Sequence, residues 1–322
     1  MPEWLIERGI GETRAILVEH GEIVEARIEL DGTTPTGSVV AGRLANAGTN
    51  GRNAIAVAVG GLEFLLPSGA GQVTQGATLN IEIVRERIPG LESWKRALGR
   101  ATDKVPTRVP VLAERLDGRQ LAFPAPQDAF EELGWDDVLD QARSGFVRFA
   151  GGELRISATP AMTLIDVDGY LSPEELAVLG ASAAAEAIRR LDIGGSIGID
   201  LPTAGNKVAR HQAAAAIDDA LPPPFERTSV NGFGFVQIVR PRSRASLLEL
   251  AQDRAPFEAR ALLRAATRDG PGGKQVVAHP NVIAALERHP EWIDALATQV
   301  GGKIELRGDA ALPMSGGYAT SL

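Results

Sequence analysis

The stretch from residue 150 to residue 221 limits the fold more than any other part of the chain. Leu154-Arg155-Ile156-Ser157 and Met162-Thr163-Leu164-Ile165-Asp166-Val167-Asp168 read as strands. Ser172-Pro173-Glu174-Glu175 then supplies an N-cap, a proline at the first helical position and a capping-box glutamate, so a helix starts there and runs to about Leu191. Gly194-Gly195 ends it, Ser196-Ile197-Gly198-Ile199-Asp200-Leu201 is a second buried strand, and an Ala-rich helix from about Lys207 to Leu221 follows. Strand, helix, strand and helix in succession predict an α/β unit whose two strands run parallel.

The pattern before it is different. Residues 3 to 30 hold short apolar runs cut by Gly9, Gly11 and Gly21 at hairpin distances, which predicts an antiparallel meander. After a polar break at Asp31 to Gly37, four short strand patterns follow at Val39–Leu44, Asn53–Val59, Leu62–Leu66 and Thr78–Val84; strands this short and closely spaced suggest a small barrel. Between Lys95 and Arg119 seven basic residues face three acidic ones, the first locally positive segment. Residues 127 to 142 carry six acids and no base at near-helical apolar spacing, which fits a solvated acidic helix face better than a metal site. Downstream come a strand near Phe233–Val239, a helix from about Ser246, a Gly/Pro stretch at Asp269 to Gly273 that reads as a linker, and a small α+β module. That module comprises Val276–Pro280, a helical pair broken by Pro290, and Lys303–Leu306.

Composition narrows the chemistry. At 322 residues the chain is long enough for two or three small domains, and the absence of Cys excludes disulfides, thiolate zinc sites and cysteine nucleophiles. The four His, at 20, 211, 279 and 289, lack metal-ligand spacing, which leaves carboxylates as leading candidates. A net charge of −8 argues against wholesale nucleic-acid coating but leaves room for a local basic groove. The five Lys are far outnumbered by Arg; guanidinium forks match phosphates, although a GC-rich genome produces the same bias. No apolar run reaches the ~18 residues of a membrane span, and the N-terminus lacks a basic region followed by an apolar one, so a cytoplasmic protein with no membrane contact is expected.

Asp166 and Asp168, two apart on a strand, point to one face, and Asp200 ends the next strand. If the strands are parallel neighbours about 4.8 Å apart, Asp166 and Asp200 meet at their carboxyl ends, where α/β sheets place ligands. Clustered carboxylates repel, and a divalent cation is the usual relief; with only oxygen ligands on offer, Mg²⁺ or Mn²⁺ matches, and phosphate esters are the substrates such sites serve. The competing reading is that these Asp cap strand ends or the following helices. Lys207, Arg210 and His211 come shortly after Asp200, and Arg227, Arg240, Arg242 and Arg244 follow without an acid from 227 to 244. That stretch is either a phosphate-binding edge or a solvated strand edge.

Together these residues resemble a known family. Phe149-Ala-Gly-Gly-Glu-Leu-Arg-Ile-Ser, continuing through Met162-Thr-Leu-Ile-Asp166-Val-Asp168-Gly169, resembles the strand pair of the bacterial ribonuclease E/G family, a Gly-Gly-x-Leu-x-Ile strand followed by Glu-Ala-Leu-Thr-x-Ile-Asp-x-Asn-Ser/Thr. Gly194–Asp200 looks like its second metal-ligand strand, and Arg210-His211-Gln212 and Ser246–Leu250 resemble the segments that follow. The start, Leu5–Arg8 through Glu22–Val24, and the tail from Ala278-His279-Pro280 to Tyr318 are similar in order and spacing. The resemblance implies a metal-dependent endoribonuclease of single-stranded RNA in which Asp166 and Asp200 hold Mg²⁺, with Asp168 where the family usually has Asn, orienting a ligand or the attacking water.

It also implies a multidomain α+β fold. An OB-type RNA-binding β-barrel (38–94) is inserted in a ribonuclease-H-like subdomain (1–37 plus 95–147), followed by an α/β metal-dependent nuclease domain (148–262) and a small α+β C-terminal module (263–322). The departures have consequences. The family's zinc-linking Cys-Pro-x-Cys motif is impossible here, so no zinc is expected and any homodimer forms without a zinc link. No Arg-Thr-Ala stretch of the 5′-monophosphate-sensing kind occurs, and Ala56 and Leu65 stand where relatives carry base-stacking aromatics on the barrel. RNA contact is then expected from Lys95 and Arg96 in the basic segment, together with Lys207, Arg210, His211, Arg227, Arg240, Arg242 and Arg244. The alternative function is an RNA-binding or ribosome-assembly factor with a residual nuclease site; a phosphodiesterase acting on another nucleic acid or a nucleotide would use the same carboxylates.

Overall fold

Short apolar runs carry the first three strands, β1 (Glu3–Arg8), β2 (Glu12–Glu19) and β3 (Glu22–Leu30), into the expected antiparallel meander, with Leu5↔Ile16 and Ile16↔Ala26 in register. The computed structural model describes residues 1–90, 95–125 and 127–322. It divides into two units, one of residues 1–32, 112–136 and 250–322 and one of residues 33–111 and 137–249.

In the second unit, β4 (Val39–Asn46), β5 (Ala54–Ala58), β6 (Glu63–Leu66), β7 (Thr78–Arg85) and β8 (Ala97–Thr102) close a barrel in the order β4-β5-β6-β8-β7. Closure removes both sheet edges, and Leu44, Ala56, Phe64, Leu66, Ile81 and Ile83 fill the interior. The barrel expected from sequence is present, but it needs a fifth strand, β8, which was legible only as part of a basic segment. Its inward positions, Ala97 and Gly99, are too small to announce a strand; a Cβ on Gly99 would lie 2.5 Å from the Ile81 side chain. Residues 91–94, the end of the expected barrel segment, lie outside the described residues.

The next elements are α1 (Leu112–Arg115), β9 (Gly118–Leu121), α2 (Ala129–Glu132) and α3 (Trp135–Ser144); β9 pairs in parallel with β1, extending the meander to four strands. The acidic stretch is therefore two helices interrupted at Gly134, and it is not uniformly solvated. Glu131, Glu132, Asp136, Asp137 and Asp140 are exposed, but Asp128 is buried, capping α2 through the Phe130 N–H and pairing with Arg14 and Arg268.

Six strands, β10 (Phe146–Phe149), β11 (Gly152–Ala158), β12 (Thr163–Gly169), β13 (Gly195–Asp200), β14 (Glu226–Arg227) and β15 (Phe235–Arg240), form a mixed sheet in the order β10-β11-β12-β13-β15-β14. The predicted parallel pair is β12 and β13, joined by helix α4 (Pro173–Arg190), whose Ser172 cap accepts from the Glu175 N–H. Helix α5 (Lys207–Ala220) packs along α4. Leu154, Ile156, Ile165, Val167, Ile197, Ile199, Val236 and Ile238 are buried, each contributing about 1.5–3 kcal/mol relative to exposure. α4 packs on β11 and β12, and it comes so close that a Cβ on Gly180 would sit 2.4 Å from Val167 Cγ1.

The chain continues through α6 (Leu247–Gln252), α7 (Arg254–Arg268), β16 (Lys274–Ala278), α8 (Pro280–Glu287), α9 (Pro290–Val300), β17 (Ile304–Gly308) and β18 (Tyr318–Ser321). β16 lies between parallel β17 and antiparallel β18. Asp269 to Gly273 is a fixed turn rather than a linker: the buried Lys274 ammonium donates to the Asp269 carbonyl (2.5 Å) and carboxylate (2.9 Å), and the Gly272 N–H donates to the Val300 carbonyl (2.6 Å).

Within the first unit the meander carries a buried ionic network. Arg14, 1% exposed, donates to Glu7 (2.9 Å) and bidentately to Asp128 (2.8 and 2.7 Å), with its guanidinium 4.2 Å from the Phe130 ring centroid. Glu12 accepts from Arg260 (2.8 Å) and Arg264. Burial alone would raise the Glu12 and Asp128 carboxyls, yet Arg264 and Arg260 hold the first, and Arg14 and Arg268 the second, below the ordinary carboxylate range.

Candidate active site

Pleating gives the six-stranded sheet a buried face and an open face, and the open face carries the candidate carboxylates. One row of directly paired residues crosses five strands: Phe146 on β10, Arg155 on β11, Asp166 on β12, Asp200 on β13 and Phe235 on β15. Asp166 and Asp200 are Cα partners at the carboxyl end of the parallel pair, on strands about 4.8 Å apart, and both are exposed. The βαβ crossover produces this pairing, because it returns the chain to the neighbouring position with the same polarity. Asp168 lies on the same face two residues on, where β13 has already ended. The expected convergence of three carboxylates is thus a facing pair with a third beyond it; among the described residues, no three His, Asp or Glu side chains group as if to enclose a metal.

Two further residues shape the pair, and motif reading did not single them out. Arg155 sits beside Asp166, bonds to Glu153 (3.0 Å) and stacks its guanidinium 5.5 Å from the Phe146 ring centroid. Its pKa is raised, first by the hydrogen bond and charge of Glu153 and then by Asp168 and Asp166. The short turn at residues 159–162 was the available clue: the β11–β12 hairpin it closes, with the Thr159 N–H on the Met162 carbonyl, puts Arg155 opposite Asp166 on the same face. Gly198, two residues before Asp200, is the second. A Cβ there would lie 2.6 Å from the Phe235 ring, so the missing side chain is the seat of the aromatic next to Asp200.

The sequence-predicted cations are dispersed. Lys207, Arg210 and His211 open α5, at the same end of β13 as Asp200; Lys207 and His211 are exposed, while Arg210 donates to the Ala204 carbonyl (3.0 Å). Arg240 pairs in register with Gly195 and donates to the Ile193 carbonyl (2.9 Å), which puts it at the opposite end of β13, about 16 Å along the strand from Asp200. Arg242 and Arg244 follow it and are ion-paired with Glu249 and, at 2.6 Å, Asp192. Arg227 is engaged by Asp218. On the barrel, Arg96 pairs with Glu63 (2.6 Å), and Arg100 and Lys104 share Glu82, whose pKa is lowered by those two hydrogen bonds; Lys95 is half-buried. Ala56 and Phe64 face the barrel interior, and only Leu65 of the supposed stacking positions is partly exposed.

The donor set suits a hard divalent ion. Mg²⁺ binds through one or two carboxylates and keeps its remaining positions for water and substrate phosphate, which an exposed Asp pair with an open face permits.

A closed five-stranded barrel, consistent with the OB type, together with an α/β sheet whose parallel pair ends in facing aspartates, defines a mixed α+β chain with an all-oxygen site at a sheet edge. No family model matches the sequence. Over 161 residues, 46% of this chain, it is 29% identical to ribonuclease G of Haemophilus influenzae, and over 188 residues, 54% of this chain, it is 27% identical to ribonuclease G of Escherichia coli K12. The matches cover 32% and 37% of those proteins, so the chain spans about a third of the length of the curated relatives it matches. The chain is related to the ribonuclease E/G family. Among the described residues no helix is long and apolar enough to cross a membrane.

Proposed function

We propose that this chain is an endoribonuclease that hydrolyses phosphodiester bonds of single-stranded RNA at the Asp166/Asp200 edge. The observation that carries this reading is the direct pairing of Asp166 with Asp200 on an open sheet face, in a chain related to proteins named ribonuclease G. A divalent cation, Mg²⁺ or Mn²⁺, held by these two carboxylates would supply Lewis-acid polarisation of the phosphate and an activated water. Asp168, on the same face, orients a group hydrogen-bonded beyond the pair. Arg155 balances the local negative charge and offers its guanidinium to the phosphate that enters beside Asp166. Lys207 and His211 present donors at the α5 end of the same edge. The OB-type barrel is a second RNA contact in this reading, with the internally paired cations of its surface contributing little net positive charge.

In Asp166→Asn and Asp200→Asn, Mg²⁺-dependent cleavage of single-stranded RNA should fall by on the order of 10³-fold or more with the far-ultraviolet dichroism unchanged, and wild-type products should carry 5′-phosphate ends. Cleavage at the wild-type rate in both variants would overturn the assignment. A second reading, an RNA-binding or ribosome-assembly factor with a residual site, is favoured by the lack, among the described residues, of a group of three carboxylates or histidines that could enclose a metal. RNA binding without cleavage under either metal would select it.

A further inference from the structure

Two aromatic side chains at the carboxyl end of the sheet are held in solvent by backbone bonds. Tyr170 and Phe233 are 84% and 82% exposed, the most exposed aromatics among the described residues, and none of the exposed large apolar residues described on the barrel is aromatic. Leaving a ring in water forgoes about 1.5–3 kcal/mol of burial, so a fold that fixes one there calls for an occupant. Phe233 is fixed on both sides. Its N–H donates to Asn231 Oδ1 (2.9 Å), which also accepts from the Phe235 N–H (3.1 Å), and its carbonyl accepts from Thr203 Oγ1 (3.2 Å). Next to it Gly234, at φ +91°, lies so close to Leu201 that a Cβ would be 2.1 Å from its carbonyl oxygen. The turn bearing Phe233 is therefore docked on the residue that follows Asp200. Tyr170 follows Asp168-Gly169, with its N–H on the Gly151 carbonyl (3.2 Å) and the capped start of α4 two residues later.

Phe233 lies in the turn two residues before Phe235, the Cα partner of Asp200 on β15, and Tyr170 directly follows the last residue of β12, four residues after Asp166. We infer that Phe233 and Tyr170 are base-stacking platforms that hold the nucleotides on either side of the phosphate presented to Asp166 and Asp200. This deepens the ribonuclease reading and rests on it. Tyr170 stands just past the end of β12 and Phe233 just before the start of β15, with β13 and its terminal Asp200 between those strands rather than a continuous apolar patch, which suits separate bases on a charged backbone better than a protein partner. With the barrel's stacking positions occupied by Ala56 and Leu65, base recognition has moved to the edge that carries the carboxylates.

The test measures binding of a fluorescein-labelled oligouridylate of about twelve nucleotides to the full chain in EDTA, so that no cleavage occurs. Phe233→Ala and Tyr170→Ala should each weaken binding about tenfold, the consequence of losing one base stack. Phe233→Trp should restore it to within about twofold. An abasic oligomer of the same length should bind all variants equally. Ala variants that bind the oligouridylate as tightly as wild type would overturn the inference while leaving wild-type cleavage, and so the ribonuclease reading, intact. Stacking-dependent binding by a chain that never cuts with Mg²⁺ or Mn²⁺ would do the reverse. If the Ala variants weaken the abasic oligomer equally, the rings support the fold rather than the bases, and the inference fails.

Discussion

Arg14 shows how much a single side chain can do that its sequence context hides. A charged residue near the start of β2, it is nonetheless buried between Glu7 and Asp128 and against the Phe130 ring. Removing it leaves two carboxylates without their partner, so Arg14→Leu should destabilise the chain by about 3–5 kcal/mol, read as a lowered urea midpoint. Arg14→Lys should recover only part of this, because an ammonium cannot reproduce the fork that reaches two carboxylates at once. Asp166 and Asp200 are the opposite case. Their strand positions, two residues from Asp168 and at the end of the next strand, were legible because alternation and a capped crossover helix dictate both face and neighbour. Arg155 and Gly198 were not, since neither a lone Arg nor a lone Gly in a strand says what lies across from it until the register is known.

Elements with strong boundary chemistry were read correctly from the sequence, and short strands without a distinctive apolar pattern were not. The Ser172-Pro173 start of α4, the parallel pair and the Pro290 break between α8 and α9 all follow from caps and punctuation. Strand β8 escaped because Ala and Gly suffice in a narrow barrel interior, and β18 because four residues carry too little pattern. Small residues also govern α4. Its approach to β12 depends on Gly180, so Gly180→Val should cost about 1–3 kcal/mol through overpacking. It should also lower RNA cleavage by displacing Val167, which lies between Asp166 and Asp168. Leu179→Ala, on the exposed side of the same helix, should alter neither melting temperature nor rate appreciably. A loss of stability in Gly180→Val without loss of cleavage would show that the strand tolerates the shift.

At the scale of the whole chain, acid stability follows from the ionic network. Glu12 and Asp128 have folded pKa values below those of the unfolded chain, about 4, so their contribution is complete above that value and is lost as the pH falls through the lower folded values. Asp31 works the other way: burial and then the Glu12 charge raise its pKa, and its contribution is lost as the pH rises through the folded value. The melting temperature should therefore fall steeply on acidification from pH 5 to pH 2. Arg14→Leu should flatten that dependence, and an unchanged slope in the variant would count against the network as its source. Sequence reading treated the meander and the C-terminal module as separate parts, since ion pairs between distant segments leave no local pattern. Residues 1–32 and 250–322 fall in one unit, where Glu12 pairs with Arg260 and Arg264 from the far part of the sequence. Protein synthesis runs in one direction, so Glu12 emerges some 25 s before these arginines at about 10 residues per second. Residues 33–111 and 137–249, the second unit, can be complete while the opening strands still await their partners. A message cut short before residue 260 would then yield a finished barrel and carboxylate edge attached to an N-terminal segment whose Glu12 lacks both of its hydrogen-bonded arginines.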